Sequence, residues 1–363
     1  MKIAILGTRG VPARYGGFET FAEEVGKRMV AKGHEVCVYC RSGYYPKKQE
    51  EYLGMRLVYI PEIKWKSFET IFHTFLSLLH AVKKRFDIIF ICNVANSILL
   101  PVPLVFGRKT VMHVDGLDWK RQKWNLFGKK YYEFSEWVAC LFPSVLIADS
   151  HGIEKYYQRR YGRKLHYVSY GANITKSRDA SILDSFKLKP GEYFLQITRF
   201  EPENNPLLSV KAFSNVSTGK KLVMVGGAKY GSGYSARIFS VHDKRILRLG
   251  FIYDKNTIRE LQANAYAYIH GNEVGGTNPG LLQAMAAGCF VISRDVAFNR
   301  EVLCDAGIYY KRDEQDLKKK LTWVLEHPEE KKELGQKGQE IIKKYHSWDS
   351  VVSGYEKLFY SLL

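Results

Sequence analysis

Three loops carry the residue types that could meet a charged ligand. The first, Gly7-Thr8-Arg9-Gly10-Val11-Pro12-Ala13-Arg14-Tyr15-Gly16-Gly17, links a strand-like run to a helix-like one. Gly16 and Gly17 at a helix start would let backbone N–H groups approach an anion closely; the plainer alternative is a flexible turn. The loop does not fit G-x-G-x-x-G, and the second strand ends Tyr39-Cys40-Arg41 with no acidic residue, which argues against a dinucleotide site. The second loop runs from His270-Gly271-Asn272-Glu273-Val274 through Gly275-Gly276-Thr277-Asn278-Pro279 to Gly288. Here Asn278 can cap a helix, Pro279 fits its first position and Gly288 ends it. The positive end of such a helix suits a diphosphate, although alone the motif is equally a loop-to-helix junction. The third is Thr198-Arg199-Phe200-Glu201-Pro202-Glu203-Asn204-Asn205-Pro206. Arg199 offers a forked cation for phosphate, or else a surface ion pair with Glu201 or Glu203.

The elements that position these loops alternate. Strand-like runs occur at 2–6, 35–40, 55–60, 87–92, 109–114, 144–149 and 166–169, and again at 192–198, 221–225, 246–250, 266–270 and 290–293. Several are apolar throughout, as in a parallel sheet buried on both faces. The helix after the first strand shows one apolar stripe, Phe18, Phe21, Ala22, Val25 and Met29, with Glu19, Glu23, Lys27 and Lys32 off it and Gly33 as its stop. Between 171 and 191 the pattern lapses and ends in Lys189-Pro190-Gly191. The expectation is an α/β protein of two doubly wound, Rossmann-like domains facing across a cleft: 1–175, completed by a helix at 347–363, and 188–345.

At 363 residues, with about 150 per domain as a guide, two domains are expected on length alone. A content of 46% hydrophobic and 25% charged residues excludes a disordered chain, a collagen-like repeat and a small disulfide scaffold. The net charge of +18 attracts phosphate-bearing substrates, anionic lipid or polyanions without choosing among them. Cys37 and Cys40 form a C-x-x-C inside a strand, where residues three apart point to opposite faces, so buried reduced thiols are expected rather than a metal pair. No Asp-x-Asp occurs, and His270 with Glu273 reads as a turn contact, so no metal is expected. Met1 to Gly7 has too short an apolar run for a signal peptide, and no stretch approaches the roughly 20 residues of a membrane span. A cytoplasmic protein is expected.

Taken together, the Gly-Gly loop, Asp149-Ser150 after a strand, Tyr170-Gly171-Ala172, Arg199 with Pro202-Glu203, and the turn into Leu281-Leu282-Gln283-Ala284-Met285-Ala286-Ala287-Gly288 resemble the family-four, GT-B-fold retaining glycosyltransferases. Tyr345-His346-Ser347-Trp348 and the final helix resemble that family's closing segment. Within it, residues 7–20, Asp115-Gly116-Leu117-Asp118-Trp119-Lys120-Arg121 and Val274 to Pro279 are most similar to a bacterial subgroup with rhamnosyltransferases of surface polysaccharide synthesis.

The resemblance implies transfer of a sugar, L-rhamnose from dTDP-rhamnose, to a lipid-linked or oligosaccharide acceptor. It implies retention at the anomeric carbon and no cofactor, the nucleotide-diphospho-sugar being substrate. Donor contacts would come from Gly16, Gly17, Arg199, Asn204, Asn205, Glu273, Gly275, Gly276, Thr277, Asn278 and Gln283. Acceptor contacts would come from Arg9, Tyr15, Phe18, Trp119, Lys120 and Arg121. Asp115, His113 and Arg199 would serve the reaction, with a structural use of His113 equally open. The wider family has glutamates where this chain has Gly275 and Gln283, and often a lysine where it has Asn204. Gln283 can still bond a hydroxyl, as a neutral partner.

Basic and aromatic residues cluster at 44–48, 64–66, 83–85 and 119–132, and Phe68, Phe72, Phe75, Leu79 and Val82 share a helical face. This suits peripheral docking on an anionic membrane, or a core stripe beside solvated charges. No nucleic-acid motif accompanies the charge, so no nucleic-acid partner is expected. Two other function classes stay open: a nucleotide-sugar epimerase or hydrolase on the same frame, and a non-catalytic basic glycan- or membrane-binding module.

Overall fold

The computed structural model describes residues 1–14, 16–63, 69–114, 116–142, 144–228 and 233–363. The chain folds as two compact units, one of residues 1–120, 124–170 and 348–363, the other of 121–123 and 171–347. The division thus falls at Tyr170 and Gly171, ahead of the stretch where the pattern lapses. The reason is local: Thr175 donates its amide to the Ala286 carbonyl (3.1 Å), and Glu260 accepts from Ser177 Oγ (2.6 Å) and the Arg178 amide (2.8 Å).

The first unit contains strands β1 (Lys2–Leu6), β2 (Glu35–Arg41), β3 (Glu51–Tyr52), β4 (Met55–Ile60), β5 (Ile88–Cys92), β6 (Thr110–His113), β7 (Val145–Ala148) and β8 (His166–Tyr167). Their order is β3-β4-β2-β1-β5-β6-β7-β8. All pairs are parallel except the short β3–β4 hairpin, a strand too brief to be legible in the sequence. Its helices are α1 (Gly17–Ala31), α2 (Glu69–Lys83), α3 (Pro101–Val105), α4 (Leu126–Leu141) and α5 (His151–Tyr161).

The second unit contains β9 (Tyr193–Ile197), β10 (Lys221–Val225), β11 (Ile246–Gly250), β12 (Ala267–His270), β13 (Val291–Arg294) and β14 (Gly307–Tyr310), in the order β11-β10-β9-β12-β13-β14, all parallel. Its helices are α6 (Pro206–Ser214), α7 (Gly233–Phe239), α8 (Lys255–Ala263), α9 (Pro279–Ala286), α10 (Ala297–Leu303), α11 (Glu314–Glu326) and α12 (Pro328–Tyr345). The final helix α13 (Trp348–Tyr360) belongs to the first unit.

Burial explains the strands. β5 and β12 are buried at every position, as central parallel strands must be. In the first unit Phe21 stacks on Phe90 (5.3 Å), and α13 closes over them with Tyr355 (5.2 Å from Phe21) and Phe359 (6.1 Å from Phe90). In the second, Phe194, Phe213, Ile269, Phe290 and Ile292 form one core.

Two helices depart from expectation. On α1, Glu19 and Glu23 are buried rather than solvated, because the preceding loop folds back onto them. On α2, Phe68 lies outside the described residues. Phe75 and Leu79 are exposed, and the packed side is His73, Thr74, Ser77, Leu78, Ala81 and Val82. The apolar stripe of α2 is therefore split, Val82 joining the core while Phe75 and Leu79 face outward. Cys37 and Cys40 are both buried and free, and burial pushes their thiols up to about 12 and about 11.

Candidate active site

In each sheet the strand that comes first in the chain is flanked on both sides: β1 by β2 and β5, β9 by β10 and β12. The loops leaving such a switch point at the carboxyl end are where doubly wound sheets bind ligands. All three loops singled out from the sequence emerge there, two of them from the second unit.

In the second unit the loops after β9 and β12 are bonded to each other. Asn205 Nδ2 donates to the Gly271 carbonyl (2.9 Å), and the Glu273 amide donates to the Glu203 carbonyl (2.9 Å). Gly271 is required here, since a Cβ would overlap the Asn204 carbonyl. Asn204 and Asn205 are both buried, and Asn204 Nδ2 bonds the Arg199 carbonyl (3.0 Å), so their amides hold the loops together. Glu273 is likewise occupied, accepting from Arg294 Nε (2.7 Å) with Arg312 Nη1 at 3.6 Å. Arg199 is about one-third exposed and stands 3.8 Å from Glu201, a long pairing that leaves its fork largely available.

At the start of α9, Asn278 Oδ1 accepts from the Gly280 amide (2.9 Å), and its carbonyl accepts from Leu281 and Leu282. The helix amides are thus satisfied within the cap. Those of Gly275 and Gly276, just upstream, have no acceptor among the described residues. Gly275 sits at φ 135°, which a side chain rarely adopts. Thr277 is buried, whereas Gln283, one turn into α9, is exposed with its amide unengaged. This end of the unit offers a guanidinium, two backbone donors and a neutral amide, a donor set for an oxyanion and a hydroxyl.

The first unit is organised differently. The Arg9 amide donates to Glu19 Oε1 (2.9 Å), the Ala13 amide to Glu23 Oε2 (2.7 Å), and the Gly10 amide to Thr8 Oγ1 (3.0 Å). Burial raises the Glu19 carboxyl against the lowering effect of those contacts. Gly16 (φ 105°) precedes α1, and a Cβ there would overlap Glu19 Oε2. Gly17 begins α1 and its carbonyl accepts from Tyr170 Oη (2.8 Å). Arg9 lies over the Tyr44 ring (5.4 Å). Phe18 meets His113 edge-on (5.3 Å), and His113 is buried at the end of β6, where burial lowers it to about 4 and keeps it neutral. Trp119 Nε1 donates to Tyr156 Oη (3.2 Å) and exposed Lys120 lies 5.3 Å from the Trp119 ring, whereas Arg121, half-buried, belongs to the second unit. Asp115 and Tyr15 lie outside the described residues. The structure thus brings Arg9 into the loop held by α1 and Phe18 against His113, while the tryptophan group packs against α5.

Sequence reasoning missed two features. One is the pair Glu19 and Glu23 as clamps of the first loop; the available signal was two carboxylates at i and i+4 just after a loop rich in free amides. The other is a knot of buried polar atoms beside the second-unit loops. Glu203 is 2% exposed with neither carboxylate oxygen hydrogen-bonded, and Gln196 Oε1, Asn204 Oδ1 and His270 Nε2 also have no hydrogen-bond partner. Burial holds His270 down at about 4. Among the described residues no group of three or more His, Cys, Asp or Glu is placed to hold a metal.

The comparisons agree with this division. Residues 178–341 match the family of glycosyl transferases group 1, and residues 1–173 match a domain of unknown function, DUF1972. The sucrose-phosphate synthase from Thermosynechococcus elongatus aligns over 99% of this chain and 98% of its own, at 17% identity and TM-score 0.84. HepE from Anabaena, in complex with UDP and glucose, aligns over 99% and 100% at 15% identity and TM-score 0.80. WaaG, a glycosyltransferase involved in lipopolysaccharide biosynthesis, aligns over 100% and 99% at 14% identity and TM-score 0.75. No curated protein matches the chain in sequence. The fold is that of the GT-B glycosyltransferases, and with the group 1 domain it supports a glycosyltransferase of GT-B type.

Proposed function

We propose that this chain is a retaining, metal-independent glycosyltransferase of the family-four kind. It moves a sugar, L-rhamnose from dTDP-rhamnose on the subgroup resemblance, to a lipid-linked or oligosaccharide acceptor of bacterial surface polysaccharide. The observation that carries the proposal is the second unit's switch point, where Arg199 and the open amides of Gly275 and Gly276 sit on two mutually bonded loops. A diphosphate there gains charge as the bond from the anomeric carbon to its oxygen breaks, and fixed donors stabilise that charge without reorganising. Gln283 bonds a donor hydroxyl. The acceptor hydroxyl forms the new bond on the face the diphosphate leaves, and its proton passes to a departing phosphate oxygen. His113, neutral above about pH 4, bonds or shapes the acceptor side rather than supplying charge, and Asp115 holds acceptor hydroxyls. HepE, a fold relative, is known with UDP and with UDP-glucose, which supports a nucleotide sugar as donor.

Docking on the inner face of an anionic membrane is part of the same proposal. The first unit exposes Phe127 (84%), Val105 (82%) and Leu126 (70%), along with Phe106, Phe134, Trp137 and Leu141. On α4, Phe127, Phe134, Trp137 and Leu141 recur at helical spacing with Lys130 among them, an apolar face with basic neighbours. No helix among the described residues is long and apolar enough to cross a membrane.

Incubating the protein with a panel of nucleotide sugars and a prenyl-linked acceptor tests the activity, and sugar transfer is expected. Sugar conversion without acceptor would select an epimerase or hydrolase, and saturable binding without turnover a non-catalytic module. Co-sedimentation with phosphatidylglycerol vesicles should fade with salt and with the Phe127→Glu/Trp137→Glu pair; equal recovery with phosphatidylcholine would overturn the docking.

A further inference from the structure

The second unit has a cavity of about 620 Å³ at the amino ends of its strands, opposite the loops just described. Tyr266 and Phe290, which immediately precede β12 and β13, form its floor, and Pro328 and Lys331 from the first turn of α12 form one side. Its size is that of a small-molecule site, about 300–1,000 Å³. The walls are fixed. A Cβ at Gly335 would overlap the Gly288 carbonyl, so α12 lies directly on the turn after α9. Both Gln339 Nε2 and the Thr175 amide donate to the Ala286 carbonyl (3.1 Å each).

The charge in this cavity is one-sided. Lys331 is half-buried, 4.5 Å from the centre of the Tyr266 ring; on the same ring, outside the lining, lies Lys220 (4.2 Å), which pairs with Glu192 (3.5 Å). Burial and the neighbouring Lys220 hold the Lys331 ammonium below its usual range. Among the described residues the Lys331 ammonium has neither an ion pair nor a hydrogen bond, its backbone amide alone donating, to the His327 carbonyl (3.2 Å). Lys176 and Lys332 add two more cations to the lining. The adjacent carboxylate, Glu260, is already spent on Ser177, Arg178 and Arg259 (2.6, 2.8 and 3.1 Å). Thr175 Oγ1, also on the wall, is buried without a partner.

Three cations gathered around a partly apolar hollow, one of them half-buried and without an ion pair, are an incomplete electrostatic arrangement, and an anion completes it. We propose that this cavity binds a small phosphorylated polyol. Its phosphate would lie among Lys176, Lys331 and Lys332, with its carbon skeleton against Tyr266 and Pro328 and its hydroxyls toward Gln336 and Gln339. Because these residues lie at the end of the sheet away from Arg199 and Gly275, the site is separate from the one proposed for the donor and does not depend on that proposal.

The test is calorimetric titration of the full chain with ribose 5-phosphate, using ribose and inorganic phosphate as its two halves. Saturable binding is expected in the unaltered chain and in Arg199→Ala. It should be about tenfold weaker or more in Lys331→Gln and in Lys176→Gln/Lys332→Gln, as for loss of a charge-assisted contact. Ribose alone should not bind. Should Lys331→Gln fail to fold, the pair of exposed lysines carries the test. Binding that survives both lysine variants, is lost in Arg199→Ala, or is absent from the unaltered chain would overturn the proposal.

Discussion

The loop after β1 and the loop after β12 look alike in sequence: both are rich in glycine, both leave a central strand and both enter a helix. Their backbone donors are used differently. In the first, two carboxylates of α1 turn back and take the Arg9 and Ala13 amides, so those two donors are consumed. In the second, the one carboxylate, Glu273, is drawn aside by Arg294 and Arg312, and the Gly275 and Gly276 amides are left open. The second loop keeps two backbone donors open, and the first has spent two of its own on carboxylates. Glycine spacing marks where a backbone can bend; the side chains that fold onto it set the charge it presents.

The largest effect that would break this comparison is at Gly271. Gly271→Ala forces the two second-unit loops apart and should cost roughly 3 kcal/mol of stability, seen as a lower urea midpoint; an unchanged midpoint would mean the loops are not tightly joined. Next is Arg199→Ala. Losing a charged hydrogen-bond donor is worth roughly 2 kcal/mol, about a thirtyfold weaker nucleoside-diphosphate affinity at unchanged Tm, and unaltered binding in a diphosphate panel would remove Arg199 from the site. Glu19→Ala should do the converse. It orphans the Arg9 amide at roughly 1–2 kcal/mol of stability while nucleotide affinity stays constant, and a fall in that affinity would erase the distinction between the loops. Gln283→Ala sharpens the picture least, at about 1 kcal/mol or fivefold in affinity.

A pH series separates the units in a further way. His113 and His270 titrate at about 4 when folded, below their unfolded value. The stability they confer is present above about 6.5 and is lost as pH falls toward 4. Glu136 on α4 accepts from Tyr156 Oη (2.8 Å) and Tyr161 Oη (2.9 Å), and burial raises it to about 7. Its contribution is present below its unfolded value and lost as pH rises through about 7, so it offsets the histidines in the first unit. Glu136→Gln should therefore make Tm fall more steeply between pH 7 and 5 than in the unaltered chain; an identical slope would mean Glu136 does not titrate there.

Much of this was legible in the chain itself. Apolar runs alternating with helical stripes located most of the strands, because a strand buried on both faces leaves no other composition open to it. Asn278-Pro279 and Gly33 marked helix ends because capping is local chemistry. The exceptions share a cause. Glu19 and Glu23 lie inside because a loop ten residues upstream in sequence supplies amides that hydrogen-bond them. Phe75 and Leu79 of α2 lie outside because the side that packs is the one carrying His73, Thr74, Ser77 and Ala81. The cations around Tyr266 come from Lys220 and Lys331, far apart in sequence. Local spacing determined which elements form and where they stop. Only the tertiary structure decided which polar groups lost water and which found a partner, since desolvation and pairing depend on neighbours that the order of residues does not place.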